Sequence, residues 1–208
     1  LKIEILYQDD FILAVNKPPA MPVHATSDPL RPHVQGIIEK QVGQKLVLAH
    51  RLDLDTTGVL LFGVDPSINR ELTDLFRERR AQKTYLMCVE GRWPQGTTKI
   101  ETYIRKVSGG RYENKRSGKP KEKAITNFEV IKTGPEYSFL RAKPHTGKTH
   151  QLRIHAKFCG HPILGDSRYG AKNKSVPMAL HAQKLEFKHM VTAKNISIEA
   201  PLPEHWPQ

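Results

Sequence analysis

Apolar and polar positions alternate at the start of the chain, where Ile3, Ile5 and Tyr7 are interleaved with Glu4 and Leu6 before the turn-forming Gln8-Asp9-Asp10. A short apolar run, Phe11 to Val15, follows and is closed by Asn16-Lys17-Pro18-Pro19. This pattern predicts a β-hairpin leading into a proline-stiffened loop. Val34 to Val42 has helical spacing, with Gly43 as its stop, and Val59 to Val64 reads as a buried strand. Asp65 and Pro66 have the chemistry of a helix cap and first helical position. The helix they open carries Ile68, Leu72, Leu75 and Phe76 on one face, with Arg70, Arg77, Arg79 and Arg80 elsewhere.

Thr84 to Val89 predicts a strand, and Gly91 to Gly96 a turn. Arg105 to Lys123 holds eight Lys/Arg and two Glu around Gly109-Gly110 and Gly118, and is expected to be a mobile loop. It is either a solvated hairpin tip or a loop that grips a polyanion. Thr126 to Ile131 and Tyr137 to Lys143 read as a hairpin around Gly134-Pro135. Leu152, Ala156 and Cys159 fit a helix, and Gly160 followed by Pro162 marks its end. Strands outnumber helices, and no repeat, long linker or low-complexity tract interrupts them. The expectation is one α+β domain over residues 1–208, its mainly antiparallel mixed sheet flanked by helices and loops.

Charge adds a partner class. The 208 residues contain 33 Lys+Arg against 21 Asp+Glu, a formal net charge of +12, and the sequence pI is about 9.7. Such an excess points to nucleic acid, since cations that displace condensed counterions from phosphates gain binding entropy. Two separated cysteines, Cys88 and Cys159, are too few for a disulfide framework or zinc cluster and read as small buried hydrophobes in a reducing compartment. No apolar stretch reaches membrane-spanning length and Leu1–Asp10 has no signal-peptide pattern, so a cytoplasmic protein without membrane association is expected.

Candidate chemistry comes from short motifs. Ala142 to Thr149 approximates a phosphate-binding P-loop, but Ala142 replaces the first glycine and Pro144 removes a backbone N–H from a loop that must present them. Nucleotide hydrolysis is therefore a distant alternative. No Gly-x-Ser-x-Gly or His-Glu-x-x-His motif occurs, and His150 and His155 are wrongly spaced for one helix face. Ala49 to Gly58 packs His50, Arg51, Asp53, Asp55, Thr56 and Thr57 into a turn before an apolar strand. That is a rigid place for a reactive carboxylate, although spacing alone favours an ordinary Asx/Thr turn with a surface ion pair.

His50-Arg51-Leu52-Asp53-x-x-Thr56-Thr57-Gly58 resembles the signature loop of the RluA-type pseudouridine synthases, His-Arg-Leu-Asp-x-x-Thr-Ser-Gly. Further segments match in family order: Val15-Asn16-Lys17-Pro18, Lys83-Thr84-Tyr85, Thr146 to His155, Gly160 to Asp166, Leu180-His181-Ala182 and Ala200 to Pro203. Thr57 stands where Ser is usual, and Lys148 where Arg is usual. The resemblance implies an isomerase that turns uridines of structured RNA into pseudouridine, ribosomal RNA slightly before transfer RNA. It implies Asp53 as catalytic carboxylate, either attacking the ribose covalently or acting as a base in a glycal route. It implies Arg153 as that carboxylate's cationic partner and Tyr85 as the residue stacked on the base. Arg51, His150, Leu152 and Ile154 are then expected at the substrate, and Arg77, Arg79, Arg80, Lys115, Arg116, Lys119 and Lys121 at RNA phosphates. The small RNA-binding domain in front of many relatives is expected to be absent. A monomer needing no cofactor or metal is expected. A non-catalytic RNA-binding or ribosome-assembly protein is the alternative.

Overall fold

Residues 12–15 and 59–62 are apolar without a break because the strands they form are covered on both faces. The computed structural model describes residues 1–107 and 111–207. Among these there are eleven strands and three α-helices. They are β1 (Ile5–Gln8), β2 (Ile12–Lys17), α1 (Val34–Val42), β3 (Val47–Leu48), β4 (Thr57–Gly63), α2 (Asn69–Arg77) and β5 (Gln82–Glu90). They continue with β6 (Thr97–Lys106), β7 (Tyr112–Lys115), β8 (Lys123–Thr133), β9 (Tyr137–Pro144), α3 (Gln151–Phe158), β10 (Leu180–Lys188) and β11 (Asn195–Glu199). No helix among the described residues is long and apolar enough to cross a membrane.

The chain divides into two units, Leu1–Lys83 with His181–Glu204, and Thr84–Leu180 with His205–Gln208. In the first, β2 pairs with β1 and β4, both antiparallel, and β4 pairs with β10 in parallel at His181–Thr57 and Ala182–Gly58. β3 lies antiparallel on β4, and β11 on β10. Ile12, Ala14, Val59 and Leu61 meet Leu72 and Leu75 of α2 and Leu185, Phe187 and Ile198 of the last two strands in one core. Asp65 accepts the Ser67 N–H as expected of a cap, but it opens a short 3-10 turn, and α2 proper begins at Asn69. α1 ends where expected, at a left-handed Gly43 with φ 75°.

In the second unit the strands run in the order β5-β9-β8-β6-β7, all antiparallel, and α3 lies on them. Met87, Val89, Trp93, Phe128, Leu140 and Leu152 are among its core residues. The expectation of a mobile loop over 105–123 is corrected here. β6 runs on to Lys106 and pairs with β7 at Tyr103–Lys115 through Lys106–Tyr112. Ile104 on β6 is buried with Ala124 and Ile154, while Glu122 accepts the Lys119 N–H and pairs with Arg105. The strand escaped detection because its inward positions, Ile100, Thr102 and Ile104, include only two aliphatic side chains between charged neighbours. Gly109 and Gly110 lie outside the described residues. Cys88 is buried as expected but Cys159 only half-buried, and burial raises the two thiols to about 12 and 11, which keeps them protonated.

Candidate active site

The loop between β3 and β4 is held at several points, all within the first unit. At its start, the His50 Nε2 accepts the Leu61 N–H at 3.1 Å and the ring stacks on Phe76 with centroids 4.5 Å apart. Burial, reinforced by the Lys83 cation, pushes its pKa down to about 3, so His50 is a neutral anchor. In the middle, the Thr56 N–H donates to the Asp53 carbonyl at 3.2 Å and closes a turn. At its end, the Thr57 hydroxyl lies 2.8 Å from Nδ1 of the buried His181, whose Nε2 lies 3.2 Å from the Ala200 carbonyl. These partners assign the Nε2–H tautomer, with Nδ1 accepting from Thr57. A threonine in place of the usual serine keeps this bond.

Gly58 completes the anchoring. Its φ is +105°, and a Cβ there would run into the backbone of Ala182. Only glycine lets β4 and β10 approach this closely. On this loop Leu52, Thr56 and Thr57 are buried, Asp53 and Asp55 half-buried, and Arg51 exposed. The loop thus combines an anchored backbone with a half-buried Asp53.

In the second unit Tyr85 lies on β5 opposite Ala142, half-buried against the core. Arg153 projects from α3 and is 6% exposed, so it is no surface arginine. Its Nε and Nη2 donate to the two carboxylate oxygens of Asp166, each at 2.8 Å. Its guanidinium lies 5.0 Å from the centroid of Tyr169, whose N–H also donates to Asp166. The Tyr169 hydroxyl is 2.7 Å from Nδ1 of His150, which sits left-handed at φ 57° ahead of α3. The resemblance singled out Arg153 and His150; Asp166 and Tyr169, which orient them, were missed. Asp166 does stand at the end of the matched Gly160 segment, but its distance of 13 residues from Arg153 gave no local signal.

Leu152 belongs to the larger core of the second unit and Ile154 to the smaller cluster with Ile104, Ala124 and Tyr169. The P-loop look-alike begins in the last residues of β9 and ends just before α3, and the His145 and Lys148 N–H groups in it donate within the protein. The Gln151 side chain accepts the Lys148 N–H at 3.0 Å and the Thr146 hydroxyl at 2.7 Å, and it donates to Ile125 and Thr126. His155 is fully buried between the Thr102 and Thr126 hydroxyls, each at 3.0 Å, and burial lowers its pKa to about 4. Among the described residues no group of three or more His, Cys, Asp or Glu could hold a metal ion.

The basic residues expected at RNA are exposed, but several carry carboxylate partners. Arg77 pairs with Asp74 and Glu78, Arg80 with Glu78, and Lys115 with Glu113. Arg79, Arg116, Lys119 and Lys121 are exposed as well.

Residues 11–158 match the family model described as RNA pseudouridylate synthase. The chain is 37% identical over 232 residues to tRNA pseudouridine synthase C of Haemophilus influenzae, covering 99% of this chain and 95% of that one. It is 36% identical over 215 residues to ribosomal large subunit pseudouridine synthase C of Escherichia coli, covering 96% of this chain and 66% of that one. Among solved structures, human RNA pseudouridylate synthase domain containing 1 superposes with a TM-score of 0.83 at 25% identity, over 97% of this chain and 84% of that one. The signature loop, the family match along most of its length and the shared fold together make the chain a member of the RNA pseudouridylate synthase family.

Proposed function

We propose that this chain converts uridines of ribosomal or transfer RNA to pseudouridine, with Asp53 as the catalytic carboxylate. The observation that carries the reading is the Asp53 loop itself: a half-buried carboxylate on a backbone anchored by His50, Thr57 and Gly58. Catalysis of this kind depends on holding the reacting group in place, and misplacement by about 1 Å costs on the order of 100-fold in rate. In the reaction the bond from the ribose to the uracil nitrogen breaks and a bond to carbon 5 forms. The carbon-5 proton leaves to solvent and the freed nitrogen takes one up. Atoms and electrons balance without an external oxidant or reductant.

Arg153 is the cation we assign to Asp53, supported by its burial and by the orientation that Asp166 and Tyr169 impose on its guanidinium. An ionised arginine would keep a partly buried carboxylate deprotonated. Tyr85 we assign to the base, and Arg51, exposed beside Asp53, to a phosphate or the flipped nucleotide. A paired uridine must be extruded, costing a few kcal/mol that phosphate contacts offset. Lys115 at the end of β7, Arg116, Lys119 and Lys121 beyond it, and Arg77, Arg79 and Arg80 at the end of α2 supply candidates for those contacts.

The test compares Asp53→Asn with Asp55→Asn by tritium release from carbon-5-labelled uridine in ribosomal and transfer RNA, beside an RNA-binding titration. Asp53→Asn should be inactive while still folding and binding RNA, and Asp55→Asn should keep most activity. The reverse pattern would move the catalytic role to Asp55. Wild-type binding without turnover on either RNA would favour a binding-only protein.

A further inference from the structure

Strand β7 and the start of α3 meet in the second unit through three aromatic rings. Tyr112, the first residue of β7, packs its half-buried ring against the cluster of Ile104, Ala124, Ile154 and Tyr169. Its centroid lies 5.7 Å from that of His150, with the ring planes 66° apart. The His150 ring stands edge-on to Tyr169 as well, at 5.5 Å and 78°, and its Nδ1 is 2.7 Å from the Tyr169 hydroxyl. The Tyr169 ring in turn has the Arg153 guanidinium 5.0 Å from its centroid. A continuous set of contacts thus runs from β7 to the guanidinium, by way of Tyr112, His150 and Tyr169.

Each contact constrains what the next one leaves free. Two N–H bonds hold the Arg153 fork to the Asp166 carboxylate, but the pair can still tilt together about the aspartate side chain. A ring over the guanidinium face opposes that tilt. The far end of that ring, its hydroxyl, is held at His150. His150 precedes α3 in a left-handed conformation and makes no side-chain cap bond to the helix, so its ring takes its orientation from what packs on it. The edge-on ring of Tyr112 is such a contact, and it comes from outside the helix. Asn114, the next inward position of β7, adds no comparable hold: its Oδ1 is buried without a hydrogen-bond partner among the described residues.

We propose that Tyr112 is a positioning residue for the reaction: through His150 and Tyr169 it fixes the tilt of the Arg153 guanidinium. The proposal rests on the assignment of Arg153 as the cation for Asp53. The strand that leads to the basic residues 115–121 then also sets the geometry of that cation.

The experiment measures single-turnover rate at saturating RNA, RNA affinity and thermal stability, with every rate taken well below the variant's Tm. The proteins are wild type, Tyr112→Leu, Tyr112→Phe, Tyr169→Phe, the Tyr112→Leu/Tyr169→Phe pair and Arg153→Lys. Tyr112→Leu should slow turnover roughly 5- to 10-fold, the scale of one lost aromatic contact, and leave RNA affinity within about 2-fold. Tyr112→Phe keeps the ring and should restore most of the rate. Tyr169→Phe keeps the ring on Arg153, removes the hydroxyl that meets His150, and should slow turnover by a similar factor. Both changes break one route, so the pair should be about as slow as the slower single variant, not slowed by the product of the two. An unchanged rate in Tyr112→Leu, a rate loss matched by an equal loss of affinity, no rescue by phenylalanine, or multiplicative effects in the pair would overturn the proposal. Should Tyr112→Leu fail to fold, Tyr169→Phe decides: slowed turnover at unchanged affinity supports the route, and an unchanged rate overturns it. A normal rate in Arg153→Lys would remove the underlying assignment of Arg153. A slow Arg153→Lys beside an unaffected Tyr112→Leu would overturn the role of Tyr112 alone.

Discussion

Removing the carboxylate of Asp166 should be among the most damaging single changes in the second unit. The side chains of Arg153 and Asp166 are 8% and 0% exposed, and two N–H bonds of 2.8 Å join them. Asp166→Leu keeps the branched heavy-atom shape but leaves the guanidinium buried without this partner and the Tyr169 N–H without its acceptor. Breaking a buried pair in this way costs about 3–5 kcal/mol. For a chain of this size each kcal/mol lowers Tm by about 2–4 °C, so the expected loss is roughly 6–20 °C. Thermal melts of wild type, Asp166→Leu, Arg153→Met and the double variant would measure it. The double variant should be more stable than Asp166→Leu alone, because an apolar pair carries no uncompensated charge, with a coupling of at least about 2 kcal/mol. A Tm loss below about 3 °C, or strictly additive effects, would refute the reasoning. Turnover should fall in Asp166→Leu even well below its Tm, since Arg153 loses its orientation.

Changing Lys115, Arg116, Lys119 and Lys121 together to alanine should weaken RNA binding and make the slope of log K against log salt shallower by about 2–3. An unchanged slope would mean that residues 115–121 are solvated and do not contact RNA. His155 titrates at about 4 in the fold against 6.5 ordinarily, so its contribution to stability is complete above pH 6.5 and is lost as pH falls toward 4. Urea unfolding at pH 7, 5.5 and 4.5 should show a decline of up to about 3 kcal/mol from this group, flattened in His155→Gln. His50, held at about 3, adds in the same direction. Gly58→Ala should cost at least about 3 kcal/mol, because β10 backbone occupies the position of the new Cβ. A soluble variant melting within a few degrees of wild type would contradict the close approach seen at Ala182.

Local pattern was enough for α1, whose apolar spacing and Gly43 stop define it, and for most of the hairpin of Lys123–Thr133 and Tyr137–Pro144 around Gly134-Pro135, read from sequence over Thr126 to Ile131 and Tyr137 to Lys143. The apolar run of β4 was also legible, although its first two residues, Thr57 and Gly58, look like turn residues and become strand because β10 pairs beside both and Lys17 of β2 beside Gly58. β10 and β11 were not anticipated: Leu180 to Lys188 mixes His, Gln, Lys and Glu among its apolar residues. The candidate site divides in the same way. Motif order alone singled out Asp53, Tyr85 and Arg153, since each residue is recognised by its immediate neighbours in the chain. Lys17 to Leu54 and Thr56, Thr57 to His181, and Arg153 to Asp166 are pairings across 37, 39, 124 and 13 residues. A lysine after a strand looks solvated in sequence, because exposure is the ordinary state of a charged side chain. Only folding, by bringing the carbonyls of Pro18, Leu54 and Thr56 around its ammonium and removing water, turned Lys17 into a buried cation beside the turn of Asp53.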